Sequence, residues 1–556
     1  MTRAEILAQI PDARARERQD ARDGLRANKA RYQRSTDRLL LELTNGVTFT
    51  FPTQRIASRM RPHLRCSGLA PVIAAASVVA TALATAPSAA NAQASPTALI
   101  QRAVTSIGGE AALRGLTNTT VDFNSTAFGI GQEETPLSPA RATLSFGRIT
   151  TDYRGMRRAT TQELRATRGA VTRQRRVLAG GIGMTESNGV ATPDAPAAAN
   201  AAVADIRLLP DRLLLAALET PAALTLVRPR PVRGEMMDGL RYANGPDTLS
   251  LWFDRLNGRL VMAERITDDG VLGDRRNTVM YTRWADAGGV LLPREIDSEA
   301  NGRLVAHTVI TAASINNAAL ADSMFAISDS VAQRARRLPP PSTSIPVTLV
   351  DIGPDVWRAE GQSHHSLVVK QGSELLVIEM PQTSARSRAV LDTLRSRFPG
   401  VPVRRAVNTH HHWDHSGGVR EYLSRGITVV THRRNVSFLQ GIAASKKTVA
   451  TDALSRGGKP GLVRAATDTM FVGDGDTRVM LLELPNTHVE GMLVAYVPAL
   501  RVLFVADVIQ PGPTMSPAGS REVMAMVKAH GITVDRVVGA HAGIVPWADV
   551  VAAAGR

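Results

Sequence analysis

Cysteine is almost absent from this chain of 556 residues, and its absence excludes several kinds of chemistry. The single cysteine, Cys66, lies just before an apolar segment that we interpret below as removed during export. The processed chain would contain no thiol, so disulfides, cysteine-ligated zinc and a thiolate nucleophile are excluded. Any nucleophile or metal site must therefore use other side chains.

Lysine is also scarce, which weakens any argument from the positive charge of the chain. The formal net charge is +16, but only six of the 66 Lys and Arg residues are lysine. A surface selected to bind phosphates would be expected to use both residue types. No run of Lys and Arg interleaved with aromatic residues occurs. We therefore interpret the charge as a mildly basic solvated surface and predict no nucleic-acid partner.

A late apolar segment predicts export. The stretch Leu69 to Ala86 follows a short basic segment that begins at Met60. Ala90-Asn91-Ala92 then matches the small-x-small pattern of a signal-peptidase site. We predict that residues 60–92 are a signal peptide and that the mature protein is periplasmic or secreted. A membrane anchor is the alternative, since the stretch is about long enough to span a bilayer.

A proline-rich segment divides the rest of the chain. Residues 1–59 are rich in arginine, and we interpret them as an over-extended N-terminus or a disordered tail. Residues 336–346 contain three consecutive prolines and predict a stiff linker. The linker separates a β-rich N-terminal domain, residues 93–335, from a C-terminal domain, residues 347–556. Ten of the twelve histidines lie beyond the linker, which locates the chemistry in the C-terminal domain.

The N-terminal domain has the pattern of an antiparallel sheet after one opening helix. Strands predicted over 248–253 and 259–264 flank Asn257-Gly258, a strong hairpin signal. The Ala- and Pro-rich segment 191–204 indicates a surface loop, and His307 indicates an ordinary strand residue. In outline the domain resembles the curved half-barrel of periplasmic lipoprotein-carrier proteins. That resemblance implies a groove for an apolar ligand, and a purely structural domain is the alternative.

The C-terminal domain begins with alternating strand and helix patterns. Strands are predicted over residues 347–352, 356–359, 366–370, 374–379 and 402–407, with a helix over 384–397. Strands joined in this way through a helix are typical of a layered α/β fold.

A dense cluster of metal-binding residue types follows the last of these strands. The sequence there is Asn408-Thr409-His410-His411-His412-Trp413-Asp414-His415-Ser416. Residues two apart in extended backbone face the same way, so His410 and His412 project together and His411 projects oppositely. Ser416 is placed to cap a helix over 419–423. Imidazole nitrogens and a carboxylate oxygen suit Zn, Fe or Mn.

These residues resemble the H-x-H-x-D-H signature of the metallo-β-lactamase superfamily. Four later or earlier segments match other motifs of the family in the family's order: Val377-Ile378-Glu379-Met380-Pro381, Pro485-Asn486-Thr487-His488-Val489-Glu490-Gly491, Leu503-Phe504-Val505-Ala506-Asp507 and Val537-Val538-Gly539-Ala540-His541-Ala542-Gly543. In the third segment Ala506 replaces the usual glycine. The resemblance covers about residues 347–550 and implies an αββα sandwich, preceded here by the β-rich curved sheet.

The resemblance implies a two-metal site with seven ligands. His410, His412 and His488 would bind the first metal; Asp414, His415 and His541 would bind the second; and Asp507 would bridge both. Two zinc ions per chain are expected, with Fe or Mn as alternatives, and Asp414 is also the candidate catalytic residue. The family chemistry is attack by a metal-bridging hydroxide on an ester, thioester, lactone or phosphoester bond of a small molecule.

Six other residues have two interpretations each. Glu379 could support a histidine ligand or have no role at the site. His364 and His365 could line the entrance or simply end a strand, and we favour the strand end. Lys446, Lys447 and Lys459 could meet an anionic substrate or be solvated.

Two other function classes stay open at this point. A mono-iron dioxygenase of the same fold would use fewer of the same ligands. A carrier or binding protein with an inactive hydrolase domain would have damaged ligands, and none is damaged. Hydrolysis of β-lactams is less expected, because β-lactamases of this fold generally have Cys or Ser where this chain has Asp507. The substrate and the oligomeric state are not predicted.

Overall fold

The computed structural model describes short strands near the N-terminus and most of the chain beyond residue 94. The described ranges are 27–33, 38–43, 48–52, 95–166, 169, 171–245, 247–340 and 345–556. The chain divides into two compact units, residues 1–91 and 92–556. The predicted signal peptide lies outside the described residues, and the domain bounds given above stay predictions.

The first unit contains a small antiparallel sheet. Its strands are β1 (Ala27–Gln33), β2 (Arg38–Leu43) and β3 (Thr48–Pro52). They pair in chain order, β1 with β2 and β2 with β3.

The second unit begins with a large antiparallel sheet, which we call the sheet region (residues 95–340). Its strands are β4 (Asn118–Gly129), β5 (Arg141–Asp152), β6 (Arg157–Ala166), β7 (Val171–Ala179), β8 (Ile182–Ser187), β9 (Val190–Pro193), β10 (Leu224–Val232), β11 (Glu235–Asn244), β12 (Asp247–Asp254), β13 (Leu260–Asp269), β14 (Gly273–Thr282), the two-residue strands β15 (Ala285–Asp286) and β16 (Leu291–Leu292), β17 (Glu295–Ala300) and β18 (Arg303–Ile315). Thirteen of them form one sheet in the order β10-β11-β12-β13-β14-β17-β18-β4-β5-β6-β7-β8-β9.

Helices cover part of this sheet. They are α1 (Pro96–Ser106), α2 (Glu110–Arg114), α3 (Pro196–Arg207), α4 (Pro210–Glu219) and α5 (Asp329–Arg336), with 3₁₀ turns at Pro221–Ala223 and Asp322–Phe325. Leu99 of α1 and Leu214 of α4 are buried in one cluster with Leu251 and Phe253 of β12. Among the residues that the structure describes, no helix has the length and apolar character needed to cross a membrane.

The predicted hairpin is confirmed, whereas the predicted loop at 191–204 is wrong. β12 and β13 pair antiparallel around Gly258, whose φ of +77° suits glycine. Most of the Ala-rich segment instead lies in α3. Pro196 stands at the start of this helix, where proline is favoured, and alanine has the highest helix propensity. Composition had indicated a loop, but propensity and the burial of Ile206 favour the helix.

Two sheets form the C-terminal region (residues 345–556). The first has seven strands in chain order: β19 (Thr348–Gly353), β20 (Val356–Glu360), β21 (Ser366–Gln371), β22 (Glu374–Ile378), β23 (Val403–Asn408), β24 (Thr428–His432) and β25 (Val463–Ala466). The second has six: β26 (Met470–Val472), β27 (Val479–Glu483), β28 (Leu493–Val497), β29 (Val502–Val505), β30 (Arg536–Gly539) and β31 (Ile544–Pro546). All five strands predicted for this region from the sequence are confirmed.

Helices lie on the outer faces of both sheets. They are α6 (Ser384–Arg397), α7 (Trp413–Ser416), α8 (Val419–Ser424), α9 (Val436–Ala444), α10 (Pro517–Ala529) and α11 (Trp547–Ala554), with 3₁₀ turns at Arg433–Asn435, Gly475–Thr477 and Pro498–Leu500. Leu376 of β22 is buried with the six-stranded sheet, whereas Val377 is buried with Leu391 of α6. Since alternate residues are buried on opposite faces, β22 is apolar from Leu375 to Ile378. The layers are helix, sheet, sheet and helix, as the resemblance implied.

The turn between β13 and β14 packs against the C-terminal region. Val271 of this turn is buried in the same cluster as Tyr422 and Leu439. Asp268, just before the turn, forms an ion pair with Lys447, whose side chain is buried. Lys447 is therefore neither solvated nor available to an anionic substrate, contrary to both interpretations of it.

The predicted cap at Ser416 is wrong. The chain turns into α7 at Trp413, and α8 begins after Gly418 without a side-chain cap. Ser416 is buried, and its hydroxyl donates a hydrogen bond to the carbonyl oxygen of His410 at 3.2 Å. It therefore fixes the backbone of the histidine segment instead of beginning a helix.

Candidate metal centre

The seven predicted ligands lie just beyond strand ends of both sheets. Those of the seven-stranded sheet follow β23 or lie on α7: His410, His412, Asp414 and His415. Those of the six-stranded sheet follow β27, β29 and β30: His488, Asp507 and His541. The structure brings them together in two adjoining sets of possible metal donors.

The first set, which we call the first donor group, consists of His410, His412, His488 and Asp507. One donor atom from each lies within 4.8 Å of the other three. Nδ1 of His412 lies 3.2 Å from Nε2 of His488, which lies 3.1 Å from Oδ2 of Asp507. Nε2 of His410 lies 3.6 Å from the same oxygen. The four donor atoms therefore surround one small space.

The second donor group consists of His364, Asp414, His415 and His541. Nε2 of His541 lies 3.2 Å from Nε2 of His415. Oδ2 of Asp414 lies 3.3 Å from Nε2 of His364 and 3.7 Å from Nε2 of His415. The preferred interpretation of His364 as a mere strand end is wrong, because its buried ring is a member of this group.

Asp507 lies between the two groups and faces both. Its Oδ1 lies 2.7 Å from Nε2 of His415 and 2.9 Å from Nε2 of His541. Its Oδ2 faces the first donor group. One carboxylate thus directs one oxygen to each group, which is the arrangement that a bridging ligand requires.

The ring nitrogens that point away from the groups are held by other side chains. Nδ1 of His410 lies 3.0 Å from Oγ1 of Thr409. Oε2 of Glu379 accepts a hydrogen bond from Nδ1 of His415, and Oε1 accepts one from the backbone N–H of Thr409 at 2.9 Å. Such outer contacts fix ring orientation and tautomer at metal sites. Glu379 therefore supports a predicted ligand, which resolves its two interpretations.

Burial keeps several of these imidazoles neutral. It holds the pKa of His410 well below its ordinary value and lowers the pKa of His412 to about 4. Removal from water penalises the charged form of the ring. A neutral imidazole keeps one nitrogen lone pair, and this is the form that binds a metal ion.

His415 is the exception, and the reason is its carboxylate neighbours. Burial alone would lower the pKa of His415, but Glu379 and Asp507 overcome that effect and raise it well above the ordinary value. Burial alone would likewise raise the pKa of Asp507, but His415 and the hydrogen bonds from the surrounding histidines hold it below its ordinary range. The site therefore attracts positive charge, which a proton or a metal cation can supply.

The donor set fits bound metal ions. Nε2 of His410 is buried and has no hydrogen-bond partner among the described residues. Two pairs of imidazole nitrogens also face each other at 3.2 Å, His412 with His488 and His415 with His541. Nitrogen and carboxylate oxygen donors in this combination suit zinc and similar transition metals.

Four other histidines of the C-terminal region, His411 and His365 among them, lie outside both donor groups. The ring of His411 packs edge-on against Phe438 at 5.9 Å between centroids, and burial lowers its pKa to about 3. The ring of His411 also lies edge-on against that of His412, at 5.0 Å between centroids, so the predicted opposite projection of these two side chains stays a prediction. His365 is also outside the groups, and its backbone N–H donates to the carbonyl oxygen of Ala540 at 2.7 Å.

The sheet region also contacts this centre through residues that no sequence motif indicates. Nε2 of Gln132 donates a hydrogen bond to Oδ1 of Asp414 at 2.7 Å, and Nε2 of His412 donates one to the carbonyl oxygen of Glu133 at 2.9 Å. The paired residues are 282 and 279 positions apart in the chain. No motif surrounds Gln132 or Glu133, so the sequence contained no signal for them.

Comparison with known families agrees with this geometry. The model of the metallo-beta-lactamase superfamily matches residues 361–535. The C-terminal region is a metallo-β-lactamase-superfamily domain. The match includes six of the seven predicted ligands and stops just before the seventh, His541.

The domain is also similar to individual proteins. The alpha subunit of 2,4-dinitroanisole O-demethylase from Nocardioides sp. (strain JS1661) is 21% identical over 159 residues, which are 29% of this chain and 45% of that protein. The chain thus spans less than half the length of this relative.

Solved metallo-β-lactamases align with a similar share of the chain. FIM-1 from Pseudomonas aeruginosa, in its mono-zinc form, is 16% identical with a TM-score of 0.31, and the match covers 38% of this chain and 96% of that one. The metallo-β-lactamase from Hirschia baltica is 17% identical with a TM-score of 0.30, and the match covers 38% of this chain and 97% of that one.

Proposed function

We propose that the protein is a metal-dependent hydrolase with two metal ions, zinc being the expected metal. Its substrate would be a small molecule with an ester, thioester, lactone or phosphoester bond. The observation that carries this proposal is the pair of donor groups that share the carboxylate of Asp507. Its two oxygens lie 2.7 Å from Nε2 of His415 and 3.1 Å from Nε2 of His488.

The residues present would hold one ion in each donor group. When bound, such ions supply Lewis-acid polarisation of the substrate and a water of lowered pKa. The chain itself supplies position and charge. Glu379 and Thr409 orient the rings of His415 and His410, and Asp507 supplies negative charge between the groups. Fixed donors of this kind need little rearrangement during a reaction.

The more exposed members of the donor groups indicate where a substrate enters. The side chain of Asp414 is 36% exposed and that of His488 is 28% exposed, whereas those of His410 and His415 are fully buried. A substrate would therefore approach between Asp414 and His488, with the buried histidines beneath it. Asp414 stays the candidate catalytic residue on this basis.

The residue between the two donor groups bears on which bond is attacked. Asp507 favours the ester, thioester, lactone and phosphoester hydrolases of the family over the β-lactamases, as argued from the sequence. The similarity to a 2,4-dinitroanisole O-demethylase subunit adds that aryl methyl ether to the compounds worth testing. Substrates of all these classes can be compared on the same protein.

The first experiment measures metal content by mass spectrometry on the full chain purified without chelators. We expect about two zinc ions per chain, as a dinuclear site of these donors would hold. The same preparation is then assayed with a thioester, a lactone, a carboxylic ester, a phosphodiester, a β-lactam and 2,4-dinitroanisole. Hydrolysis that is lost on chelation and regained on adding zinc supports the proposal.

Other outcomes of that experiment would support the alternative functions. About one iron per chain together with oxygen consumption would replace the hydrolase with the mono-iron dioxygenase. A chain that binds no metal under any condition would leave the carrier protein as the better explanation.

We also propose that the protein is exported and that its signal peptide is cleaved after Ala92. The basic segment, the apolar stretch and the small-x-small site in the sequence support this. Fractionation of cells and N-terminal sequencing of the mature protein test it. We expect a soluble extracytoplasmic form that begins at Gln93, and a membrane-bound form with an intact apolar stretch would contradict the proposal.

A further inference from the structure

One loop of the sheet region lies against both donor groups. Residues 130–140 join β4 to β5, and we call this segment the site loop. The backbone N–H of Trp413 donates to the carbonyl oxygen of Gly131 at 3.1 Å. Trp413 stands between His412 and Asp414, so the loop meets the histidine segment between a member of the first donor group and a member of the second.

Gln132 determines which oxygen of Asp414 faces the second donor group. Its side-chain N–H donates to Oδ1 of Asp414 at 2.7 Å. The other oxygen, Oδ2, lies 3.3 Å from Nε2 of His364 and 3.7 Å from Nε2 of His415. The amide therefore holds the carboxylate in one rotamer and leaves Oδ2 for a metal ion.

The next residue of the loop determines the tautomer of His412. Nε2 of this ring lies 2.9 Å from the carbonyl oxygen of Glu133. A carbonyl oxygen can only accept, so Nε2 carries the proton. The lone pair is then on Nδ1, the atom that faces Nε2 of His488 in the first donor group. Consecutive residues thus orient one member of each group.

The shape of the site loop is itself fixed by buried contacts. The carboxylate of Glu133 is buried, accepts a hydrogen bond from the backbone N–H of Gly131 at 2.7 Å, and forms an ion pair with Arg303. Gly131 has a φ of +87°, and a Cβ atom there would overlap the indole ring of Trp413. Only glycine satisfies both conditions.

The ends of the loop also contact the segment that carries His488. Arg141, the first residue of β5, donates to the carbonyl oxygen of His488 at 2.6 Å. The backbone N–H of Glu490 donates to the carbonyl oxygen of Glu134 at 2.9 Å. The sheet region therefore touches segments from both sheets of the C-terminal region, on either side of the donor groups.

We propose that the site loop is a component of the metal centre, in which Gln132 is a positioning residue for Asp414 and the backbone of Glu133 positions His412. This inference rests on the proposed two-metal function. It assigns the sheet region a role in assembling the site, in addition to any ligand of its own. The C-terminal region supplies the donors, and the sheet region orients two of them.

The test compares the full-length protein with Gln132→Ala, Gln132→Leu and a control, Gln162→Ala. Gln162 lies in β6 of the same sheet region and is partly buried. Its side-chain N–H donates a hydrogen bond to Gln174 at 2.8 Å. Zinc affinity of the metal-free proteins is measured by competition with a chromophoric chelator, and cobalt spectra report the ligand geometry. Thermal unfolding of the metal-free proteins checks that all four are folded.

We expect Gln132→Ala to weaken the second of two binding events by about 10- to 100-fold, as loss of an outer-shell hydrogen bond does. The first event and the control should match the unaltered protein. Gln132→Leu keeps a side chain of similar size but removes the donor without adding a charge, so it should bind the second ion no better than Gln132→Ala. If loop packing alone mattered, Gln132→Leu would behave like the unaltered protein, and the inference would be wrong.

The proposed function and this inference fail in different ways. If the unaltered protein binds no metal, the two-metal function itself fails. If it binds two zinc ions and both Gln132 variants bind them with unchanged affinity and cobalt spectra, the function stands and the role of the site loop is overturned.

Discussion

The two donor groups differ in how their members are distributed along the chain. All four members of the first group lie in segments that match family motifs. The second group includes His364, which no motif identifies. Each group has one member oriented by the sheet region, His412 by Glu133 and Asp414 by Gln132. A site assembled from dispersed parts has more contacts that a single change can remove. We therefore expect the second group to be the more easily emptied of the two.

Asp507→Ala should have the largest effect, because this residue faces both groups. We expect both metal ions to be lost and activity to fall by more than about 100-fold, beyond the loss from an outer-shell residue. Metal content and turnover are measured together. The matched control is Asp535→Ala, whose exposed carboxylate lies 3.8 Å from Arg501. An Asp507→Ala protein with two zinc ions would contradict the bridging arrangement.

Asp414→Ala should remove the metal ion of the second donor group and leave that of the first. Its carboxylate contacts members of the second group and Gln132, so we expect about one zinc ion per chain in place of two. Mass spectrometry of the purified variant measures the ratio. Loss of both ions would contradict this expectation, because it would mean that the two groups do not bind their metal ions independently.

Glu379→Ala should weaken metal binding in the second donor group, because it removes the side chain that orients His415. The buried carboxylate accepts hydrogen bonds from His415 and from the backbone of Thr409. We expect the second ion to bind about 10- to 100-fold more weakly and the free energy of unfolding to fall by about 1–3 kcal/mol. Chelator competition and urea unfolding measure the two effects. A change in stability alone would assign Glu379 a purely structural role.

His364→Ala should have a smaller effect on the affinity for the metal ion of the second donor group. Its Nε2 lies 3.3 Å from Oδ2 of Asp414, and we expect the affinity for the second ion to fall by about 10-fold. Binding in the first group should not change. If both affinities are unchanged, His364 lines the entrance without contributing to the metal site.

Asp268→Asn should have the smallest effect, and none on metal binding. It weakens the ion pair with Lys447, where the turn between β13 and β14 packs against the C-terminal region, away from the site loop. The carboxylate of Asp268 is partly exposed, so we expect a loss of about 1 kcal/mol in unfolding free energy. Urea unfolding measures this, with zinc content as the second readout. A loss of zinc would show that general docking of the regions, and not the site loop, supports the centre.

The sequence predicted most of the C-terminal fold because local and tertiary preferences agree there. In β22 the residues from Leu375 to Ile378 are all apolar, since both faces of the strand are buried there, and α6 begins and ends where its pattern predicted. Alternation also predicted that His411 would not be a donor, and it belongs to neither donor group. By contrast, α3 was missed because an Ala- and Pro-rich composition suits a loop as well as a helix.

The contacts that the sequence could not predict join distant positions without a pattern. His364 precedes an ordinary strand, and its place in the second donor group depends on how two sheets pack. Gln132 and Glu133 lie in a loop of a different region, and their partners are Asp414 and His412. Such contacts are properties of the tertiary structure, so no spacing rule along the chain reveals them.

The contact between Glu133 and His412 has a consequence for mutagenesis. The acceptor is a main-chain carbonyl oxygen, so replacing the side chain at position 133 does not delete it. In a scan of single alanine substitutions, Glu133→Ala would disturb this contact only indirectly, through loss of the carboxylate that holds Gly131 and Arg303. Inserting or deleting one residue in the loop would move the carbonyl by the length of a peptide unit, about 3.8 Å. A change in loop length therefore tests the contact with His412 more directly than any substitution at position 133.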